Sequence, residues 1–331
     1  MSNQKTVWVF AEQKDGVLSS TTLELLGKGR ALAEVLQTDV TAVLLGYQVE
    51  PLCQTLFHYG ADRVLLADDK SLARYHMMRY TDTICEQARR EQPEVFLLGA
   101  TDLGRELAPR IARRLETGLT ADCTALEIDP SDRLLLQHVP GFGGNVSAVI
   151  VTPKARPQMA TVRPKVLEAP PCDPSRTGKI ERVSPSPADD GLLQILASRC
   201  QEKAGCTIED AEIIVAGGCG MGSKENFSLL EELAKALGGV VGATRDAVEE
   251  GWIGSDRMIG QTGKIVRPKL YIACGISGAM QHIAGMKDSA VIVAINTDAN
   301  APIFSAADLG IVGDAKAIVP ALTAAILQRR N

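Results

Sequence analysis

The chain opens with short apolar runs that alternate with longer amphipathic runs. Near-continuous apolar strands separated by helices are typical of a parallel sheet covered on both faces. The order therefore predicts an α/β domain. The predicted strands are Val7–Phe10, Val40–Leu45, Arg63–Leu66 and Val95–Leu98. The predicted helices are Ser20–Val35, Pro51–Tyr59, Ala73–Arg89 and Arg105–Leu115.

The pattern changes over Gly118–Glu168, where short apolar runs are separated by glycine-rich and proline-rich turns. Such spacing favours short strands rather than further helices. We expect these strands to be additions to the edge of the first domain, which would span residues 1–168. The predicted strands are Leu126–Ile128, Leu134–His138, Val146–Val151 and Met159–Val162.

A proline-rich stretch follows and predicts a domain boundary. Ala169–Ala188 contains five prolines among serine, aspartate and arginine residues. Because proline fixes φ and lacks an N–H donor, this composition favours a semi-rigid linker over a packed element. We predict a linker over residues 169–190 and a second domain over residues 191–331.

The second domain repeats the α/β plan and predicts a flavodoxin-like sheet with helices on both faces. Ligands of such sheets bind outside the carboxyl ends of the strands, at the point where the strand order reverses. The predicted strands are Glu212–Ala216, Val240–Gly242, Leu270–Cys274, Val291–Ile295 and Leu309–Val312. The predicted helices begin near Ser223, Gly278 and Pro302, and a last one covers Ala315–Leu327.

Composition narrows the classes of function. A length of 331 residues agrees with two domains at about 100–200 residues each. A net charge of −5 and an aromatic content of 4% argue against nucleic-acid binding. No apolar run predicts a membrane span, and the first residues do not resemble a secretory signal. Eight cysteines without CxxC spacing predict a reducing cytoplasm and no metal site.

Candidate chemistry begins with the glycine-rich loop Gly217–Gly222, between a predicted strand and a helix. Glycines let backbone approach a phosphate, and a helix N-terminus supplies free N–H groups. The spacing is not the dinucleotide GxGxxG, and Gly242–Arg245 lacks the acidic residue that would hold an NAD ribose. An NAD-linked dehydrogenase is therefore disfavoured, and a tight turn without a ligand is the alternative.

A second loop, Cys274–His282, again follows a strand and opens a helix. Ser277 is an N-cap candidate, and His282 lies one turn further, within reach of a ligand over the helix N-terminus. The run GISG lacks the GxSxG spacing of a nucleophilic serine, so a hydrolase is disfavoured. The alternative for His282 is an ordinary surface or core histidine.

Three further polar segments follow strands or precede one. Gly260–Lys264 resembles a phosphate loop but lacks its spacing, so a simple turn is the alternative. Asn296–Asp298 and Gly313–Asp314 end the last two strands. Polar residues thus converge at one edge of the predicted sheet, as a cofactor crevice requires.

The chain from Ala211 to about Ala325 resembles the FAD-binding domain of the electron transfer flavoprotein α subunit. The segments that carry the resemblance are Pro268–His282, Ala301–Phe304 and Ala307–Asp314. The first domain resembles the same family more loosely. Its segments Gly118–Asp129, Gly141–Asn145 and Pro157–Pro164 are similar to members from fermentative anaerobes and the nitrogen-fixation branch.

The resemblance implies a non-covalently bound FAD in the second domain and a redox-active carrier that works only with partners. The first partner is a β subunit that carries AMP, or a second FAD with an NADH site in electron-bifurcating members. The others are an acyl-CoA dehydrogenase or related dehydrogenase, as in fatty-acid metabolism, and ferredoxin or flavodoxin. The competing interpretation is an adenine-nucleotide-binding regulatory module without redox activity.

The resemblance also implies roles for individual residues. Arg245 would lie against the isoalloxazine, Thr262 would bond flavin N5, and His282 would bond the C2 carbonyl, which makes these three the flavin-tuning residues. Asn296 and Asp314 would hold the adenosine half. The full set of implied cofactor-binding residues is Gly218, Cys219, Gly220, Thr244, Arg245, Ile259, Gly260, Gln261, Thr262, Ser277, Gly278, Ala279, Met280, Gln281, His282, Asn296, Asp314 and Ala315.

Cys219 departs from the family pattern, because members usually have arginine at this position of the first loop. Its presence removes a cation near the cofactor phosphates. We interpret Cys219 as a small, polarizable packing residue, with a redox-active thiol as the alternative.

Overall fold

The computed structural model of the chain describes residues 6–141, 146–187, 193, 195–196 and 207–330. The chain forms two compact units, Met1–Ser198 and Arg199–Asn331. Most of the GFGGN run and the predicted start of the second domain at Gly191 lie outside the described residues.

A seven-stranded parallel sheet forms the centre of the first unit, in the order β12-β5-β4-β1-β6-β11-β7. The strands of this unit are β1 (Val7–Phe10), β2 (Gln13–Lys14), β3 (Val17–Leu18), β4 (Val40–Gly46), β5 (Arg63–Asp68), β6 (Val95–Gly99), β7 (Leu119–Cys123), β8 (Ala125–Asp129), β9 (Leu134–Gly141), β10 (Val146–Ile150), β11 (Gln158–Val162) and β12 (Lys179–Arg182). The helices are α1 (Ser20–Leu36), α2 (Leu52–His58), α3 (Met77–Glu91) and α4 (Asp102–Leu115).

Strand β1 shows why this sheet has a core on both faces. Val7 and Val9 belong to one apolar cluster, whereas Trp8 and Phe10 belong to the other. Alternate residues of a strand point to opposite faces, so an uninterrupted apolar run is buried on both sides. The predicted α/β architecture is confirmed.

The predicted edge additions are partly wrong. Strand β11 lies inside the main sheet, between β6 and β7, and all of its residues are buried. Strands β8, β9 and β10 instead form a separate three-stranded antiparallel sheet. The helix α4, β7 and this small sheet separate β6 from β11 along the chain, so sequence order did not reveal that the two strands are neighbours.

The predicted linker is also wrong for part of its length. Lys179–Arg182 is strand β12, which pairs in parallel with β5 at the edge of the sheet. An edge position tolerates the partly exposed, charged residues that made this stretch look unpacked. The prolines lie outside the strand.

The second unit contains a five-stranded parallel sheet in the order β14-β13-β15-β16-β17. Numbered within the unit this order is 2-1-3-4-5, the flavodoxin-like arrangement predicted from the sequence. Its strands are β13 (Ile213–Gly217), β14 (Val240–Ala243), β15 (Leu270–Cys274), β16 (Ile292–Asn296) and β17 (Leu309–Val312). Its helices are α5 (Phe227–Leu237), α6 (Arg245–Glu249), α7 (Met280–Ile283) and α8 (Ala315–Arg330).

Three of the predicted helices are shorter than expected or begin later. The helix predicted near Gly278 is the single turn α7, and Pro302–Ala306 forms a 3₁₀ turn. The helix predicted near Ser223 begins at Phe227. The strand order reverses at β13 and β15, which are adjacent and parallel in the sheet, so the switch point lies between their carboxyl ends.

Substitution of Gly178 tests whether β12 belongs to the sheet. A Cβ at Gly178 would lie 2.4 Å from the Phe57 ring and 2.6 Å from the Asp62 carbonyl oxygen. We expect Gly178→Ala to lower the free energy of unfolding by about 2 kcal/mol, measured by urea denaturation. Thr177→Ala, at an exposed neighbour, should change it by no more than about 0.5 kcal/mol. Equal, small effects would place this segment outside the packed sheet.

Candidate functional site

Two glycine-containing loops meet at the switch point. Gly218 donates a backbone hydrogen bond to the Cys274 carbonyl at 3.0 Å, and Gly220 donates one to the Gly275 carbonyl at 3.0 Å. A Cβ at Gly220 would lie 2.7 Å from Gly275 Cα, which no side chain tolerates. These glycines are therefore required so that the loops after β13 and β15 can pack backbone to backbone.

A cleft of about 340 Å³ opens above these loops, a volume within the range of small-ligand sites. Residues that follow β13, β14 and β15 line it together with the segment around Gly260. Twelve of the eighteen residues implied by the resemblance line this cleft. They are Gly218, Cys219, Thr244, Arg245, Ile259, Gly260, Gln261, Thr262, Ser277, Ala279, Gln281 and His282.

The other six lie outside the cleft lining. Gly220 and Gly278 lie where two backbone segments approach closely, and Ala315 is buried in the core. The Asn296 side chain bonds the Ile276 carbonyl and the Asp298 N–H, whereas Met280 and Asp314 are exposed. At Gly278 the backbone has a φ of 88° and lies against Ile303. Ala315 is 3% exposed. The roles of these six toward a cofactor stay predictions.

Five lining residues were not predicted as site residues: Asp246, Met258, Gly263, Gly275 and Ile276. Gly275 and Ile276 lie inside the predicted Cys274–His282 loop, so their position could be predicted from the sequence. Asp246 directly follows Arg245 on α6, where a one-residue step on a short helix still faces the cleft. Gly263 lies inside the predicted Gly260–Lys264 segment, whereas Met258 lies just before it and its residue type did not indicate a ligand.

Backbone hydrogen bonds place the Ile259–Thr262 segment at the cleft. Ile259 donates to the Ala243 carbonyl at 2.9 Å, and Gln261 donates to the Gln281 carbonyl at 2.8 Å. The segment is thus tied both to the end of β14 and to α7. Polar side chains of this region and of the loop after β15 are exposed at the cleft: Arg245, Gln261, Thr262, Ser277 and Gln281.

Arg245 and Thr262 form a polar pair across the cleft. The Arg245 guanidinium donates to Thr262 Oγ1, and its Nε lies 3.9 Å from Glu249 on the next turn of α6. Because the hydroxyl accepts from arginine, its own O–H proton remains available for a ligand acceptor. The arginine also draws electron density from this hydroxyl and strengthens it as a donor.

His282 lies at the inner wall of the cleft and is 5% exposed. Its Nδ1 lies 3.1 Å from the Ile259 carbonyl, and its Nε2 lies 2.9 Å from the Tyr271 hydroxyl. A carbonyl only accepts, so Nδ1 carries the proton, and Nε2 accepts from Tyr271 in the neutral ring. Burial lowers the pKa of His282 from 6.5 to about 4, with the Ile259 hydrogen bond acting in the opposite direction.

The geometry bears on how His282 would act on a flavin, a role that stays a prediction. Flavin tuning by this residue assumes a protonated ring or a free donor, but both nitrogens are engaged within the protein and the ring is neutral at pH 7. The physical reason is burial, which disfavours the charged form. Among the described residues that line the cleft, Arg245 supplies the positively charged side chain.

Cys219 is exposed at the cleft rather than packed, which corrects its interpretation as a packing residue. Partial desolvation of the thiol by the cleft walls, together with the nearby carboxylates of Asp246 and Glu250, raises its pKa above the ordinary value. A thiol with a raised pKa is a poor nucleophile, since the thiolate is the reactive form.

The described parts of the chain also bear on metal binding and on membrane insertion. No group of three or more metal-ligating side chains comes together there. None of the helices in those parts has the length and apolar character needed to cross a membrane.

A glycine-floored cleft at the switch point of a 2-1-3-4-5 sheet defines this unit as a nucleotide-cofactor-binding α/β domain. The family model described as "Electron transfer flavoprotein domain" matches residues 7–188, and that described as "Electron transfer flavoprotein FAD-binding domain" matches residues 207–287. The chain belongs to the electron transfer flavoprotein family, and its cofactor is FAD.

Relatives match the chain over nearly its whole length. The electron transfer flavoprotein subunit alpha of Clostridium acetobutylicum is 50% identical and covers 100% of this chain and 99% of its own. Protein FixB of Clostridium saccharobutylicum is 51% identical, and the alignment covers 98% of this chain and 97% of that protein. The acryloyl-CoA reductase electron transfer subunit beta of Anaerotignum propionicum is 40% identical, and the alignment covers 99% of this chain and 97% of that protein.

Among solved structures, a thiamine diphosphate-dependent 4-hydroxybenzoylformate decarboxylase of Rhodococcus jostii aligns at a TM-score of 0.25 and 10% identity. The alignment covers 97% of this chain and 59% of that structure. A score this low carries no argument about fold or function.

The neutral state of His282 makes stability depend on pH. The pKa of His282 is about 4 in the folded chain and 6.5 when unfolded, so its contribution is complete above pH 6.5 and is lost as the pH falls toward 4. We expect a loss of about 3 kcal/mol over this window, measured by urea denaturation of the flavin-free chain. His282→Asn should lack this component. If the free energy of unfolding changes with pH in the same way in both proteins, the pKa of His282 is the same in the folded and the unfolded chain.

Proposed function

We propose that this chain is the FAD-carrying α subunit of an electron transfer flavoprotein and that FAD binds in the cleft at the switch point of the second unit. The observation that carries the proposal is the convergence around one cleft of twelve residues that the resemblance implies. FAD, when bound, accepts electrons and passes them on. The remaining task of the chain is to hold and tune it.

The residues present fit such a cofactor. Gly260, with a φ of 151°, and Gly275, with a φ of 60°, bring bare backbone to the cleft. The exposed side chains of Gln261, Ser277 and Gln281 offer donors and acceptors of the kind that orient a ring system and a ribityl chain. In this proposal the Thr262 hydroxyl donates to the isoalloxazine, and Arg245 supplies positive charge beside it.

Arg245 has the largest proposed effect on the redox chemistry. Reduction adds negative charge, and a fixed cation in a partly dry cleft stabilises that charge. The guanidinium is already held by Thr262 and α6, so little reorganisation is needed when electrons arrive. His282 contributes a neutral, hydrogen-bonded wall in the oxidised state.

The chain is further proposed to work as a heterodimer with a β subunit and to take electrons from an acyl-CoA dehydrogenase or a related dehydrogenase. Its relationship to an electron transfer subunit of acryloyl-CoA reductase supports a partner that acts on acyl-CoA thioesters. The family model that matches the first unit supports a pairing of this unit with the β chain.

We also propose the anaerobic branch, in which the β subunit carries a second FAD and an NADH site and electrons are bifurcated toward ferredoxin or flavodoxin. Relatives from Clostridium, Thermoanaerobacterium and Megasphaera are 46–51% identical, and FixB proteins of Azorhizobium, Bradyrhizobium and Rhizobium are 44–45% identical. The six cysteines that the structure describes are free thiols, which supports a reducing cytoplasm as the proposed location.

Co-purification with the β subunit tests both levels of the proposal. We expect a yellow complex with one FAD in this chain, and two flavins per heterodimer for the anaerobic branch. The measurement is flavin absorbance after acid release, divided by protein concentration. One flavin with AMP would indicate an ordinary carrier. A colourless chain that binds adenine nucleotides would instead favour the regulatory module.

Arg245→Gln removes the cation from the cleft and the donor from Thr262. We expect the one-electron midpoint potential of bound FAD to fall by on the order of 100 mV, since a charge-assisted hydrogen bond contributes about 1.5–3 kcal/mol. The measurement is a spectroscopic redox titration. Arg257→Gln, which removes a cation that pairs with Asp256 outside the cleft lining, is the control and should leave the potential unchanged. Equal potentials in all three proteins would contradict the role of Arg245.

A further inference from the structure

Behind the cleft wall, Tyr271 and His282 form a buried hydrogen-bonded pair. Tyr271, on β15, is fully buried, and its hydroxyl lies 2.9 Å from His282 Nε2. Burial raises the pKa of this tyrosine well above 10.0, so the hydroxyl keeps its proton. Tyr271 does not line the cleft itself and reaches it only through His282.

The two partners of His282 differ in what they can do. The Ile259 carbonyl at Nδ1 accepts only, in either protonation state of the ring. The Tyr271 hydroxyl can donate to Nε2 when the ring is neutral, and it can accept from Nε2–H when the ring is an imidazolium. Both nitrogens of a protonated His282 would therefore have acceptors, with no rearrangement beyond rotation of one O–H bond.

We propose that Tyr271 is a positioning residue of the FAD site, because its hydroxyl gives His282 Nε2 a partner in both protonation states and so lets His282 take up a proton when FAD is reduced. The inference rests on the proposed place of FAD in this cleft. The electrons come from the electron donor and stay on FAD. The proton comes from solvent water and binds Nε2, so no covalent bond other than N–H forms.

Electrostatics favours this coupling. A negative charge that develops beside the neutral His282 ring favours the protonated form of the ring and so raises its lowered pKa back toward neutrality. The titratable or charged side chains of the cleft lining and of β15 are Cys219, Arg245, Asp246, Tyr271 and Cys274, and Lys264, on the segment that carries Ile259, pairs with Glu209 at 2.7 Å.

The test uses the FAD-loaded full chain with its β subunit and follows the midpoint potential of this FAD against pH. In the wild type the midpoint potential should rise as the pH falls below a break point. This break point marks the pH at which the reduced protein takes up a proton. His282→Asn should lack that break. Tyr271→Phe should shift it about one pH unit lower, a tenfold loss of proton affinity, because the charged ring loses a stronger hydrogen bond than the neutral ring.

Tyr80→Phe is the matched control. Tyr80 is a buried tyrosine of the first unit, 4% exposed, whose hydroxyl donates to the Leu45 carbonyl at 3.4 Å. Loss of this hydroxyl should leave the break where it is in the wild type. A break at the wild-type pH in Tyr271→Phe, whatever its stability, would overturn the inference, as would identical profiles for the wild type and His282→Asn.

A second measurement does not depend on the variants folding or on electron transfer. ¹⁵N NMR of His282 in the wild type should show Nε2 unprotonated and hydrogen-bonded in the oxidised protein, and protonated after reduction. Nε2 unprotonated in both states overturns the inference. A wild-type chain that holds no flavin refutes the proposed function and this inference with it, whereas an unmoved break in Tyr271→Phe refutes the inference alone.

Discussion

The backbone contact between Gly220 and Gly275 is the constraint on which the site depends. Without side chains, the loops after β13 and β15 approach until a Cβ on either would clash with the other's backbone. Two adjacent parallel strands whose helices leave on opposite faces need such a contact to close the floor between them. Every residue that lines the cleft is positioned relative to this floor, so the glycines act on the cofactor through the fold.

Because backbone atoms form the floor of the cleft, the side chains that can distinguish one ligand from another lie on its side walls. One wall carries the exposed Arg245–Thr262 pair, and the inner wall carries the buried His282–Tyr271 pair. A charged, wet group responds quickly to a ligand, whereas a buried neutral pair resists charging until a strong field acts on it. In the proposed function, Arg245 thus supplies a permanent charge on one wall, and His282 on the other takes up a charge only when FAD is reduced.

Much of this arrangement could be predicted from the sequence. The strand pattern of the second unit, with glycine loops after the first and third strands, was enough for the sheet order and for the edge that carries the site. The hydrogen-bond partners of His282 could not be predicted, because Tyr271 reads as an ordinary strand residue and Ile259 contributes only its carbonyl. In the first unit β11 and β12 were misplaced, since spatial neighbours far apart in sequence leave no local periodic signal.

The first unit shows by contrast why the cofactor belongs to the second. At the carboxyl edge of its sheet, the Asp68 carboxylate accepts from the N–H groups of Gln48, Val49 and Glu50 at 2.6–3.1 Å. The Glu12 carboxylate accepts from the Thr101 hydroxyl, the N-cap of α4, at 2.6 Å. These donors are of the kind that bind phosphates in related folds, but the chain's own carboxylates already satisfy them. In the second unit the corresponding edge presents exposed side chains around an open cleft, so a ligand there displaces water rather than an internal carboxylate.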